Sequence, residues 1–224
     1  MPGLNYDVAV APTMDAPRAS FNRSHRHITT VDFDNLIPVY TDEVYPGDTF
    51  TMNPQIFGRL ATPAFPIMDN MYLDIHFFYV PMRQVWANSR KFFGEQVDPG
   101  DSIDYTVPTM AATATTGYGE LSLHDYFGLP TKIPDYTHVA LYHRCYAHIY
   151  NEWFRDQNLI DSVTMSTADG VDSTTNTSIL KRGKRHDYFT GGLLSPQKAT
   201  DGAVDLPLET SAPILYGPNI SSRS

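Results

Sequence analysis

The sequence has one cysteine, Cys145, in 224 residues. A single thiol excludes a disulfide within the chain, so the fold must be held together by packing or by contacts between subunits. Structural disulfides form in oxidising compartments, and a chain without them is typical of a protein that matures in a reducing cytoplasm.

Long apolar runs are also missing. No stretch of about 18 consecutive apolar residues occurs, so we expect no membrane span. Residues 1–15 lack the basic stretch followed by an apolar one that marks a signal peptide, and we expect none to be present.

The common catalytic motifs are absent. The sequence has no Gly-x-Ser-x-Gly, no P-loop and no Gly-x-Gly-x-x-Gly. Cys145 falls within a predicted helix, where a small buried hydrophobe is the usual role. The carboxylates are numerous, but none can be singled out as a catalytic pair. The sequence therefore predicts that the chain is not an enzyme.

The eight histidines do not form a recognisable ligand motif. The spacing His25-x-His27 resembles the start of a cupin ligand set, and His76 lies on a predicted strand, but the glycine-rich cupin pattern is missing. His143 and His148 are five residues apart and so point to different sides of a helix. We expect no metal ion and no cofactor, and a cupin-like metalloenzyme remains only a weak alternative.

The residues that are abundant favour β structure. Apolar residues make up 42% of the chain, with 14 Tyr, 12 Phe and 17 Pro. Aromatic residues suit half-buried pleated surfaces, and proline interrupts strands. This mixture predicts one mainly β domain with long connections.

Several segments have the pattern of strands. Residues 29–34, 36–40 and 49–52 are short β-prone runs, and residues 71–80 form the clearest strand, with apolar side chains at every odd position. Between them, Tyr45-Pro46-Gly47-Asp48 predicts a type II turn, because glycine tolerates the positive φ that this turn needs.

Helical periodicity occurs in two places. Residues 84–93 have a helical pattern that Gly94 ends, and residues 138–155 form the one strong helix, with Thr137 as its N-cap. Residues 97–136 are expected to be a long connection, and residues 161–178 a flexible loop. The helix face is predicted to be core or interface and consists of Tyr142, Tyr146, Ile149 and Trp153.

Charge is segregated along the chain. The net charge of −9 argues against a dedicated nucleic-acid binder, but residues 31–110 carry eleven acidic against four basic residues. The basic residues concentrate elsewhere, and closely spaced cations are often compensated by phosphate. The predicted phosphate contacts are Lys181, Arg182, Lys184 and Arg185 in one cluster, and Arg18, Arg23 and Arg26 in an N-terminal arm. The alternative is a solvated or salt-bridged surface loop.

Several long blocks stand out over about residues 21–198. They are FNRSH (21–25), LIPVYTDEVYPGDTF (36–50), ATPAFPIMDN (61–70), FFYVP (77–81), FFGE (92–95), YNEWFRDQNL (150–159) and KRHDYFT (184–190). In sequence and in order, these blocks resemble one family, the major capsid proteins of gokushovirus-type microviruses, which are small single-stranded DNA phages.

The resemblance implies a viral jelly roll, which is an eight-stranded antiparallel β-sandwich with long loop and helix insertions. Residues 1–27 would be the basic arm and residues 28–198 the front part of the jelly roll. The insertions would lie at about 84–136 and 137–178, and residues 199–224 would be an extended tail or truncated remainder. Family members continue well beyond this chain, so the sandwich is expected to be incomplete. Residues 191–197 also lack the Trp expected there.

The resemblance also implies a function. Many copies would self-assemble in the host bacterial cytoplasm into a small T=1 icosahedral shell around circular single-stranded DNA. The implied partners are other capsid subunits, the packaged DNA and a small internal DNA-binding or scaffolding viral protein, together with an unidentified host receptor. The alternative from another class is a non-viral β-sandwich module that binds carbohydrate or protein through exposed Tyr and Trp.

Overall fold

The structure is a computed structural model, and it describes residues 17–192. Most of the predicted N-terminal arm and the whole predicted tail at 199–224 therefore lie outside the described residues, as does the part of the jelly-roll range after residue 192. In the part of the chain that is described, no helix is long and apolar enough to cross a membrane.

The described residues are largely non-helical, and their regular elements are short. The α-helices are α1 (Met82–Val85), α2 (Ser89–Phe92), α3 (Leu123–Tyr126) and α4 (Leu141–Ile149). A π-helical stretch, Tyr150–Phe154, follows α4 directly, and Thr174–Asn176 forms a 3₁₀ turn. The strands are β1 (Thr109–Ala111), β2 (Thr137–Val139) and β3 (Val171–Asp172).

The three strands form one small mixed sheet in the order β2-β1-β3. Strand β1 pairs antiparallel with β2, with Met110 opposite His138, and parallel with β3, with Met110 opposite Asp172. The eight-stranded antiparallel sandwich expected from the resemblance is not formed within residues 17–192.

Within residues 17–192, the buried apolar side chains lie between residues 85 and 150. They are Val85, Trp86, Met110, Ala112, Tyr118, Leu123, Ala140, Ala147 and Tyr150. Helices α1 and α4 pack against each other in this region, and β1 pairs with β2 and β3. We refer to residues 81–180, which surround this core, as the central body.

The Arg144 side chain on α4 connects three parts of the central body. Its guanidinium makes two hydrogen bonds to the Asp172 carboxylate, at 2.6 and 2.7 Å, and donates to the carbonyl oxygens of Val85 at 3.0 Å and Ala168 at 2.8 Å. The side chain is only 3% exposed. A buried charge is tolerated only when it is paired and its donors are satisfied, and Arg144 meets both conditions.

Residues 17–80 differ from the central body, because none of them is buried and they form no strand ladder. The strands predicted at 29–34, 36–40, 49–52 and 71–80 are therefore wrong for the described residues. The expected buried face of 71–80 is open, with Leu73 68%, Phe77 57% and Tyr79 74% exposed. The physical reason is that a strand needs a paired neighbour, and no other described segment pairs with this one.

Residues 17–80 touch the central body, and the residue directly after it, at a few defined points. An isolated antiparallel bridge joins Asn35 to Lys181. The Tyr146 hydroxyl donates to the Leu36 carbonyl at 2.8 Å and accepts from the Leu180 amide at 2.9 Å. Further along, the Phe78 ring packs edge-to-face on Trp153 and Phe154, at ring-centroid distances of 5.9 and 5.7 Å.

The observed helices begin and end at other residues than the sequence predicts. The strong helix begins after Ala140, and Thr137 is not its N-cap, because Thr137–Val139 pairs with β1 instead. The pattern at 84–93 breaks into α1 and α2, since Trp86 adopts an extended conformation that places its indole in the core. Two β-branched residues in Thr137–Val139 and one buried aromatic account for both differences.

The segment 161–178 is not the flexible loop that its composition predicts. It contains β3, and its carboxylates bind other parts of the central body. Asp169 accepts hydrogen bonds from the Trp86 indole N–H at 2.6 Å and from the Thr106 amide at 2.8 Å, and Asp172 binds Arg144. Polar side chains thus order a segment that has little apolar surface of its own.

Two glycine predictions are confirmed. Gly47 has φ +89° in a turn closed by the Asp48 amide and the Tyr45 carbonyl at 3.1 Å, and Gly94 has φ +84° just after α2. A third glycine, Gly117, also has positive φ, and a Cβ there would lie 2.5 Å from the backbone of Ile133. Only glycine fits that close approach.

Replacing Arg144 with Met should destabilise the central body by about 3–5 kcal/mol, because the Asp172 carboxylate would lose its cation while remaining mostly buried. Urea unfolding followed by the fluorescence of buried Trp86 measures the change. Arg90→Met is the matched control, since Arg90 pairs with Glu95 at 3.4 Å on the surface and is 61% exposed. Similar losses for the two variants would contradict the role assigned to Arg144.

Candidate functional site

The predicted basic cluster lies beside the segment 72–74. Arg182 and Arg185 both form ion pairs with the Asp74 carboxylate, and the Arg185 guanidinium lies 4.8 Å from the centre of the Tyr72 ring. Hydrogen bonds from Arg185 and Arg182 hold the pKa of Asp74 below its usual value. Two of the four cluster cations therefore share one anion, which leaves the cluster with excess positive charge.

The other two cluster cations are open to solvent. Lys184 pairs with Asp187 at 3.2 Å and remains 71% exposed, while the exposed Lys181 takes part through its backbone in the bridge to Asn35. Within residues 17–192 no ion pair is formed by the Lys181 side chain. Surface pairs of this kind are weak and exchange readily for other anions.

The arm cations lie on exposed backbone. Arg23 pairs with Asp42 at 3.0 Å, and in the described range neither Arg18 nor Arg26 has a salt-bridge partner. The structure does not bring the arm cations and the 181–185 cluster into one pocket; they remain two exposed basic segments.

The predicted helix face is divided between two environments. Tyr142, Tyr146 and Ile149 are half-buried, whereas Trp153 is 66% exposed. Burial raises the pKa of both tyrosines to about 12, and the Tyr142 hydroxyl donates to Glu43 at 3.3 Å. The deepest residues of α4 lie on another face, with His143, Arg144 and Ala147 buried.

Three histidines come together in the central body, and of these the sequence drew attention only to His143, in a different pairing with His148. His124 lies on α3, His138 on β2 and His143 on α4, and one ligand atom of each lies within 4.8 Å of the others. His124 and His143 are buried, at 4% and 5% exposure. We call this group the histidine trio.

Aromatic rings and neighbouring hydroxyls hold the trio in place. Tyr118 stacks on His124 at 3.7 Å between ring centroids. The Nε2 atom of His124 lies 3.1 Å from Thr177 Oγ1, and the Nδ1 atom of His138 lies 3.3 Å from the Tyr118 hydroxyl. The remaining nitrogens, His124 Nδ1, His138 Nε2 and both of His143, are buried and have no hydrogen-bond partner among the described residues.

The trio is electrically neutral near pH 7. Burial lowers the pKa of His143 to about 3 and that of His124 to about 4, with a further contribution from the neighbouring histidines. Burial also lowers the pKa of His138. Three imidazoles this close could not all carry a charge, so each has one nitrogen lone pair free to accept.

The histidines that the sequence analysis weighed for a cupin set lie elsewhere. His25 stacks on Tyr40 at 5.1 Å, and His76 packs against Phe154 at 5.5 Å. The trio has spacings of 14 and 5 residues on three different elements, which match no ligand motif. Only the pairing of β2 with β1 and the start of α4 at Leu141 bring these side chains together.

The Cys145 thiol is a poor nucleophile in its surroundings. Burial raises the pKa of the Cys145 thiol to about 11, so the thiolate needed for nucleophilic attack is scarce at neutral pH. This environment suits the small buried hydrophobe expected from the sequence.

Comparison with known proteins identifies the family. Residues 9–223 match the family described as Capsid protein (F protein). The chain is 46% identical over 214 residues to Capsid protein VP1 of Bdellovibrio phage phiMH2K, covering 96% of this chain and 40% of that protein. It is 40% identical to Capsid protein VP1 of Chlamydia phage 1 over 87% of this chain, and 35% identical to that of Spiroplasma virus 4 over 85%, covering 36% of each relative.

The chain thus spans about two fifths of the length of the relatives that it matches. The match nevertheless extends over nearly the whole of the described chain, including the exposed segment 17–80 and the central body. The chain belongs to the Capsid protein (F protein) family.

Proposed function

We propose that the chain is the N-terminal part of a structural major capsid protein, which self-assembles into a small T=1 icosahedral shell around circular single-stranded DNA. Family membership supports the capsid role, and the exposed surface of residues 17–80 supports self-assembly. This segment leaves large apolar side chains in solvent, among them Phe57 at 94%, Phe65 at 83% and Met68 at 94% exposed. A monomeric protein rarely exposes so much apolar surface, which marks an interaction surface.

The segment 28–80 would supply strands to a jelly roll whose partner strands come from capsid sequence beyond residues 17–192. Its β-prone composition and its unpaired backbone support this assignment, because exposed strand edges readily accept a partner strand. Residues 28–198 would then be the front part of the sandwich. Residues 84–136 and 137–178 would be its insertions, folded together as the central body.

The protein would act structurally and not as an enzyme, and it would be located in the virion. The other capsid subunits are its first partners. The exposed Trp153, next to Phe78, would lie at a contact with further capsid sequence, since aromatic side chains are enriched at interface centres. A small internal DNA-binding or scaffolding protein would be a further partner, and the host receptor stays unidentified.

Assembly should depend on sequence downstream of this chain. We expect the chain extended by its natural downstream sequence to form uniform shells, and the 224-residue chain alone to aggregate or to stay small, because its apolar segment has no partner strands. Size-exclusion chromatography with light scattering, together with negative-stain microscopy, distinguishes these states. A stable monomer from the short chain and no assembly of the extended one would contradict the proposal.

We further propose that the basic residues contact DNA phosphates inside the shell. The support is the excess of cations at Lys181, Arg182, Lys184 and Arg185 over their shared partners, and the exposure of Arg18, Arg23 and Arg26 on the arm. Phosphate contacts of this kind position nucleic acid without reading its sequence.

Replacing the four cluster cations with Ala should lower the amount of DNA packaged per particle, measured as the ratio of absorbance at 260 to 280 nm in purified particles. The matched control replaces Arg59, Arg83, Arg90 and Lys91, which removes the same charge from the acidic region 31–110. Normal packaging by the cluster variant, or an equal loss in the control, would show that the cluster is a surface or inter-subunit feature.

A further inference from the structure

We propose that His124, His138 and His143 form a binding site for a divalent transition-metal ion of the zinc class, which would fasten α3, β2 and α4 to one another inside the central body. The proposal rests on the geometry and burial of the trio, and it is independent of the proposed assembly function.

The three histidine side chains lie close enough together to share one metal ion. One ligand atom of each histidine lies within 4.8 Å of the other two. Nitrogens bound to one tetrahedral zinc ion at about 2.0–2.1 Å lie about 3.3 Å apart. Side-chain adjustments of about 1 Å would therefore bring the three nitrogens to a common ion, with no rearrangement of the backbone elements.

His124 and His138 each have one ring nitrogen without a hydrogen-bond partner among the described residues. The Nε2 atom of His124 contacts the Thr177 hydroxyl, so its Nδ1 atom remains available to a metal ion. The Nδ1 atom of His138 contacts the Tyr118 hydroxyl, so its Nε2 atom remains available. In metal sites a ligating imidazole commonly donates its other N–H to an oxygen, which fixes the tautomer and directs the lone pair at the metal. On each of these two histidines one nitrogen lies beside a hydroxyl oxygen, and the other has no partner among the described residues.

His143 is buried without hydrogen bonds to its ring nitrogens from the described residues. His143 is only 5% exposed, and neither ring nitrogen has a hydrogen-bond partner among the described residues. Buried polar atoms in native proteins are nearly always satisfied. A metal ion would satisfy one nitrogen of each histidine at once, and a neutral imidazole is the form that binds metal.

The ligand set also indicates the kind of ion. Three imidazoles suit zinc, copper or nickel, whereas magnesium and calcium prefer oxygen ligands. Among the described residues no carboxylate or thiol joins the trio. The fourth position of a tetrahedral ion would then be taken by water, which could enter beside His138, the half-buried member.

The test is a titration of the 224-residue chain, stripped with chelator, with Zn²⁺ followed by isothermal calorimetry. We expect one ion per chain with micromolar or tighter affinity, and a rise in Tm on binding. His143→Gln should weaken binding at least tenfold. His148→Gln is the matched control on the same helix, and it should bind as the parent does.

A measurement on the parent chain keeps the test valid if His143→Gln fails to fold. X-ray absorption at the zinc edge should show three imidazole nitrogens in the first coordination shell. Saturable binding that survives His143→Gln in a folded variant, or an absorption spectrum without imidazole ligands, would overturn the proposal. Absence of saturable binding up to about 100 μM Zn²⁺ would also overturn it and leave the trio as an aromatic packing cluster.

Discussion

The ion pair between Arg144 and Asp172 is the interaction on which the central body depends. A single guanidinium joins α4 to β3 through Asp172, to the end of α1 through the Val85 carbonyl, and to the 161–178 segment through the Ala168 carbonyl. The apolar core around it is small, with side chains such as Trp86, Met110 and Leu123. In so small a core, a fully satisfied buried charge fixes which elements pack together, whereas apolar contacts alone would tolerate several arrangements. We infer that the pair fixes the arrangement of the elements. This role does not require the pair to be more stable than an apolar replacement of similar volume.

The central body and residues 17–80 differ, and this contrast explains how one chain can contain both a folded unit and the assembly surface that we propose. The buried charge of Arg144 is satisfied from within residues 81–180, by Asp172 and the Val85 and Ala168 carbonyls. The segment 17–80 has the composition of strands but no strand partner in the described part of the chain, so its apolar side chains stay exposed. In a capsid protein that is much longer than this chain, such a segment would complete its pairing with other capsid sequence. Contacts with later residues, such as those of Asn35 with Lys181, Leu36 with Tyr146 and Phe78 with Trp153, would orient the segment before that happens.

Features that depend on local chemistry were predictable from the sequence. The turn at Gly47, the end of α2 at Gly94 and a helix over much of 138–155 follow from residue type and spacing, and the capsid family followed from long ordered blocks. Features that depend on distant partners were not predictable. Strand 71–80 has the right alternation, but pairing requires a second strand. Thr137 has the residue type of a helix cap, and nothing local reveals that Thr109–Ala111 pairs with it. Arg144 and the histidine trio are polar residues in a core, and only the tertiary arrangement shows what satisfies or surrounds them.

Hydrogen–deuterium exchange of the 224-residue chain, followed by mass spectrometry, would show whether residues 81–180 fold while residues 28–80 stay open. We expect slow exchange in peptides from β1, β2 and α4, which lie in the central body, and fast exchange throughout residues 28–80. Within assembled shells of the extended protein, residues 71–80 should become protected. Protection of 71–80 in the isolated chain, or fast exchange across α4, would contradict the division into a self-sufficient body and an unpartnered assembly segment.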